Sequence, residues 1–119
     1  VKEWFAFMDK TKGFHSVVEL TTLQEKCKFS SKSMNKPMYT FSSGMKQRVK
    51  LFGAFLTNVP LIILDEPLSN LDQHGFDLYN ELWNESQDKK AIVVASNDEK
   101  EYRKVNQKLR IEAKKIITG

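Results

Sequence analysis

The stretch "LIILDEPLSNLD", Leu61 to Asp72, decides the fold. Its first four residues are apolar without alternation and too few for a helix, so they read as a central strand covered on both faces. The run then meets two adjacent carboxylates, Asp65 and Glu66, and Pro67 prevents the strand from continuing. Two acids leaving a dry strand cannot both stay ionised in apolar surroundings, because each unpaired buried charge costs several kcal/mol. They require a cation, water or both. Successive strand residues point to opposite faces, so Asp65 and Glu66 are expected to serve different tasks rather than share a proton. A plainer alternative is that Asp65-Glu66-Pro67 only ends the strand.

Downstream, Asp72 has the place of an N-cap for a helix to about Glu85, with Phe76, Tyr79, Leu82 and Trp83 as its inward stripe. "AIVVAS", Ala91 to Ser96, is a second all-apolar strand. A strand, a crossover helix and another buried strand predict a parallel, right-handed unit. Asp98 can cap a short helix from Glu99 to about Val105, and Leu109, Ile111, Ile116 and Ile117 suggest a closing pair of short strands.

Upstream lies "FSSGMKQRVKLFGAFLTN", Phe41 to Asn58, in which Met45, Val49, Phe52, Phe55 and Leu56 share one face of a helix. Ser42-Ser43-Gly44 opens that helix, and it must stop before Pro60. A serine and glycine at a helix start expose backbone N–H groups at the positive dipole end, which suits an anion such as phosphate. Ordinary capping would explain the serines equally well. Before this helix, Ser30 to Thr40 reads as a polar connector. Val1 to about Cys27 reads as short helices broken at Lys12-Gly13, carrying Trp4, Phe5, Phe7, Met8, Val17, Val18, Leu20 and Leu23.

The chain has 119 residues, enough for one domain at most. It opens at Val1 rather than Met, which is compatible with a fragment or a processed chain. Nineteen Lys and Arg against fifteen Asp and Glu leave +4, but the basic residues form no block, so a nucleic-acid footprint is not expected. Cys27 is the only cysteine, which excludes an internal disulfide and fits a reducing, cytosolic setting. The apolar runs fall far short of the roughly 20 residues that span a bilayer. His15 and His74 lack ligand spacing, so cap or surface roles are expected for both. Lys46, Arg48 and Lys50 read as a solvated helix face, with phosphate contact open to those nearest the helix start.

Taken together, "FSSGMKQRVKL", "LIILDEP" and "SNLD" resemble the signature sequence, Walker B strand and D-loop of ABC transporter ATP-binding subunits, in family order and spacing. The resemblance implies an α/β fold: an incomplete P-loop NTPase parallel sheet, the Walker B half, with a small α-helical subdomain. Residues 1–44 would form that subdomain, ending in the signature loop, and residues 45–119 the C-terminal part of the ATPase core. It implies ATP and Mg²⁺ as ligands. Ser42, Ser43, Gly44 and Met45 would contact the γ-phosphate of an ATP held mostly by a second subunit. Asp65 would face Mg²⁺ through water, Glu66 would be the general base, and Asp72 would belong with Ser69, Asn70 and Leu71 to the dimer seam. The implied partners are a second nucleotide-binding subunit, with a homodimer expected, and transmembrane permease subunits. The implied location is cytoplasmic, peripheral at the inner face of the membrane.

Two features depart from the family pattern. No G-x-x-x-x-G-K-[ST] occurs, so the loop that cradles the β and γ phosphates is missing, and the span alone is expected to be inactive and to self-associate along a bare strand edge. The family's switch histidine should follow "AIVVAS", where this chain has Asn97. Asparagine still offers an N–H donor toward phosphate but is shorter and does not titrate. Two alternatives stay open: an SMC-like chromosome or repair ATPase half, against which Gly13 and Pro37 interrupt any heptads, and a non-hydrolysing regulatory module.

Overall fold

The computed structural model describes residues 1–14, 19–112 and 115–118. Helices α1 (Lys2–Lys12), α2 (Leu20–Lys26) and α3 (Ser31–Met34) lead to the long α4 (Ser43–Leu56). Then follow β1 (Leu61–Asp65), α5 (Gln73–Ser86), β2 (Ala91–Ala95), α6 (Glu99–Tyr102) and the strands β3 (Leu109–Glu112) and β4 (Lys115–Thr118). Strands β1 and β2 pair in parallel with Leu61 opposite Ala91 and Asp65 opposite Ala95, while β3 and β4 pair antiparallel. The expected crossover unit and closing strand pair are therefore present. Val17, Val18 and His15 lie outside the described residues.

Helix α4 forms where its pattern requires. Ser42 in extended conformation caps it, its hydroxyl accepting from the Met45 amide at 3.2 Å. Val49, Phe52 and Phe55 are fully buried along one face. The helix ends at Leu56, short of Pro60, because Thr57 turns extended and its hydroxyl donates to the Gly53 carbonyl at 2.7 Å. Lys90, itself buried, closes this helix end from outside: its Nζ donates to the carbonyls of Phe55 at 2.7 Å and Thr57 at 2.9 Å. Burial pushes its pKa below the usual lysine value.

The core lies where α4 and α5 pack together. Phe55 meets Tyr79 edge-on at 6.0 Å and Trp83 at 6.4 Å, and Ile62 and Leu64 join the same cluster from β1. The stripe of α5 differs in part from its expected form, since Leu78 is buried and Phe76 only half-buried. On another face of the same end of α4, the Trp4 ring packs on Gly53, where a Cβ would lie 2.8 Å from it. Phe14 stacks between Phe5 and Phe52 at 5.0 and 6.2 Å, so the N-terminal aromatics are packing residues, except Phe7, which is exposed.

Three expectations are corrected. Neither strand is covered on both faces: in β1 Ile62 and Leu64 are buried but Leu61 is 48% and Ile63 69% exposed, and in β2, expected to be buried, Ile92 and Val94 are half-buried and Val93 is 50% exposed. Helices cover this two-stranded sheet on one side only among the described residues. The segment 30–40 is not merely a polar connector, since Ser30 caps α3, Met34 is buried and a 3₁₀ turn spans Met38–Thr40. Arg48 is not on a solvated face. Its guanidinium donates to the Cys27 carbonyl at 2.7 Å and lies over the Phe29 ring at 5.3 Å, because α2 and the following turn pack against α4 there.

Cys27 is fully buried at this junction. Burial pushes its thiol up to about 12 from a usual 9.0. Folding thus holds the thiol protonated, so this group's stabilisation is whole below pH 9 and is lost as pH rises toward 12. Burial raises the Tyr79 phenol in the same direction, with the Glu101 charge adding to it. A thiol reagent at pH 8 is expected to label Cys27 only after denaturant unfolds the chain. The urea midpoint should fall between pH 9 and 12, less steeply in Cys27→Ala; rapid labelling of the native protein would contradict the burial.

Candidate functional site

The acids that end β1 sit at the carboxyl ends of both parallel strands, where open α/β sheets bind ligands. Asp65 continues the alternation of Leu61 and Ile63 and is exposed on the open face of the sheet. Glu66 leaves the strand with φ 43°, a left-handed conformation that a non-glycine residue seldom adopts. Its amide donates to the Ala95 carbonyl of β2 at 2.9 Å, which extends the ladder by one bond. Its carbonyl accepts from the Ser69 amide at 3.0 Å, making a turn with Pro67 at its second position. Pro67 therefore ends the strand by starting a turn, and its ring is buried.

Glu66 lines an open cleft of about 520 Å³ together with Leu68, Ser69, Ser96, Asn97, Asp98, Glu99 and Glu101. Glu66 and Asn97 thus line the same cleft. The residues at the mouth of α4, Ser42, Ser43, Gly44 and Met45, are not among those lining the cleft, and neither are Asp65 and Asp72. Ser42 and Ser43 are exposed, and the Ser42 hydroxyl is engaged in its cap. Gly44 faces the turn after Glu66: a Cβ there would lie 2.9 Å from the Asn70 carbonyl oxygen, and Asn70 itself is left-handed at φ 61°. This close approach is a second reason for glycine at position 44, independent of any anion.

Asp72 caps α5, accepting from the Gly75 amide at 2.9 Å, and that bond holds its carboxyl below the usual range. Among the described residues, no three His, Cys, Asp or Glu side chains cluster as a metal cage. Likewise, no described helix is long and apolar enough to cross a membrane.

Glu101 and Gln47 escaped sequence reasoning. Glu101 is only 4% exposed, and its Oε1 accepts from the Leu68 amide at 2.7 Å. Its carbonyl accepts from the Tyr79 hydroxyl at 2.7 Å. Gln47 Nε2 donates to the Pro67 carbonyl at 2.9 Å. Neither residue carries a local signal, since both read as polar positions on short or amphipathic helices. Only the tertiary approach of α4 and α6 to the turn gives them work.

A parallel α/β unit with an acidic turn at its carboxyl edge is the class of site these elements define. The family model described as ABC transporter matches residues 5–69, more than half of the chain, and the chain belongs to that family. An uncharacterized ABC transporter ATP-binding protein of Bacillus subtilis is 36% identical over 81 residues, 68% of this chain and 24% of that protein. A putative ABC transporter ATP-binding protein of Bacillus thuringiensis is 31% identical, over 88% of this chain and 19% of its own length. The lipoprotein-releasing system ATP-binding protein of Pseudomonas syringae is 31% identical over 101 residues, 82% of this chain and 43% of that protein. The chain thus spans less than half the length of each. Its small parallel sheet with packed helices is compatible with part of a P-loop NTPase domain.

Proposed function

We propose that this chain supplies the signature, Walker B strand and D-loop of a nucleotide-binding domain that binds ATP between two such domains and hydrolyses it to drive a transport complex. Residues 1–44 would be its helical subdomain and residues 45–119 the C-terminal part of its ATPase core. The observation that carries this reading is that Glu66 and Asn97 line one cleft at the carboxyl ends of paired parallel strands, with β1 and Glu66 inside the span 5–69 that the family model matches.

In this reading Glu66 takes the proton of an attacking water, and Asn97 donates to the γ-phosphate in place of an imidazole. The exposed opening of α4, Ser42 to Met45, contacts the triphosphate held by the other domain. That these residues do not line the Glu66 cleft of their own chain, although Gly44 touches the turn after Glu66, supports a site completed by two chains. Ser69, Asn70, Leu71 and Asp72 lie along the seam. Asp65, a single exposed carboxylate outside any cage of three acids, suits Mg²⁺, which keeps waters and takes one or two carboxylates beside phosphates. The bound ion would neutralise charge on the phosphates. The proposed partners are a second such subunit, in a homodimer, and transmembrane permease subunits, with a location at the cytoplasmic face of the membrane. The family match favours this over an SMC-like half; a regulatory module without hydrolysis is the second reading, which Asn97 favours.

The test compares two polypeptides. Residues 1–119 alone are expected to show no magnesium-dependent ATPase, because no phosphate-cradling loop is present in the sequence. The full-length polypeptide is expected to hydrolyse ATP. Hydrolysis by the purified 119-residue span would overturn the division of labour, and a full-length protein that binds ATP without turnover would favour the regulatory reading.

A further inference from the structure

The peptide unit joining Pro67 to Leu68 is held at both ends by side chains from different helices. Its carbonyl accepts from Gln47 of α4 at 2.9 Å, and its amide donates to Glu101 of α6 at 2.7 Å. A peptide's C=O and N–H point in opposite directions, so α4 and α6 grip the plane from opposite sides and any rotation weakens both bonds. We propose that Gln47 and Glu101 are positioning residues for Glu66, clamping the Pro67–Leu68 peptide so that a displacement of the α4 mouth is transmitted to the carboxylate in the cleft. This deepens the hydrolytic reading above and rests on it.

The backbone around Glu66 leaves few other freedoms. Its own amide is tied to Ala95 and its carbonyl to Ser69, and the Pro67 ring fixes the next φ. The clamped peptide comes directly after. The left-handed φ of Glu66 persists only where its surroundings over-determine it, and these four hydrogen bonds do so. On the α4 side, Gly44 lies against the Asn70 carbonyl one turn before Gln47, so the helix opening that would meet a partner's phosphate touches the same turn twice.

Glu101 is the more telling of the two. A buried carboxylate is costly, and this one has its Oε2 buried with no partner among the described residues. Its Oε1 takes the Leu68 amide at 2.7 Å, an acceptor that a glutamine at this position would also supply. Tyr79 of α5 anchors the Glu101 backbone from the core, so the clamp is fixed to the packed helices rather than to a free surface turn.

The experiment uses the full-length polypeptide with Gln47→Ala, Glu101→Ala, the double variant and Glu101→Gln. Each alanine change is expected to lower kcat with Mg-ATP by about tenfold or more while KM stays within about twofold, since misplacing a reacting group by 1 Å can cost ~10²-fold. Because both side chains hold one peptide, the double variant should be little worse than the poorer single. Glu101→Gln keeps an acceptor for Leu68 and should recover most of the rate. Unchanged kcat in Gln47→Ala, effects that multiply, or no recovery in Glu101→Gln would overturn the proposal. Hydrogen exchange at the Leu68 amide reads the clamp without any chemistry: it should quicken in Glu101→Ala, and an unchanged rate would overturn it. A wild-type protein that hydrolyses no ATP would sink the proposed function instead, leaving Leu68 exchange to decide the clamp.

Discussion

Glu66→Gln in the full-length polypeptide is expected to lower ATP turnover by about 10²–10⁴, or roughly 3–5 kcal/mol of barrier, while ATP affinity stays within a few-fold of wild type. The change is nearly isosteric and removes only the carboxylate proposed to accept the proton. Position 66 suits that role because its backbone is fixed by β2 and by the turn through Pro67, while its side chain opens into the cleft shared with Asn97. Asp65, one residue earlier, is on the open sheet face and is not among the residues lining that cleft. Single-turnover hydrolysis and an ATP binding isotherm measured side by side would decide. Unaltered hydrolysis would remove the assignment, and loss of binding with loss of rate would make Glu66 a ligand-holding residue instead.

Phe55→Ala is expected to cost about 3–5 kcal/mol of stability, the usual result of truncating a buried aromatic. Phe55 is wholly enclosed, touches the Tyr79 and Trp83 rings of α5, and carries one of the two carbonyls that Lys90 caps at the end of α4. Domains carry only about 5–15 kcal/mol in total, and such a loss leaves a considerable unfolded fraction at 37 °C. Phe7→Ala is the matched control: this ring is 62% exposed and its removal should stay within about 0.5 kcal/mol. Urea unfolding of the two variants measures both, and equal small costs would mean that the α4–α5 contact is not the core.

These two outcomes correspond to what the sequence does and does not disclose. The Phe55 face of α4 is legible because a helix repeats its apolar residues every three or four positions, and the strands are legible as short apolar runs bounded by Pro60, Pro67 and Asn97. Asp72 and Ser42 were readable as caps from position alone, and both cap. The coverage of β1 is not legible, because an all-apolar strand shows its burial tendency but not which neighbours are present to cover it. Arg48 was misjudged because its partner, the Cys27 carbonyl, lies 21 residues away in sequence. The same distance hid Gln47, 20 residues from Pro67, and Glu101, 33 residues from Leu68. The candidate acids could be found by pattern. What holds them in place could not, because it consists of tertiary hydrogen bonds to backbone groups that any sequence offers.

The central claim is that the mouth of α4 and the Glu66 cleft belong to opposite halves of an ATP site made by two chains. Sedimentation velocity of the full-length Glu66→Gln polypeptide, with Mg-ATP and separately with Mg-ADP, tests it most directly. A dimer with Mg-ATP and a monomer with Mg-ADP is the predicted result. A monomer that binds Mg-ATP without ever associating would contradict it.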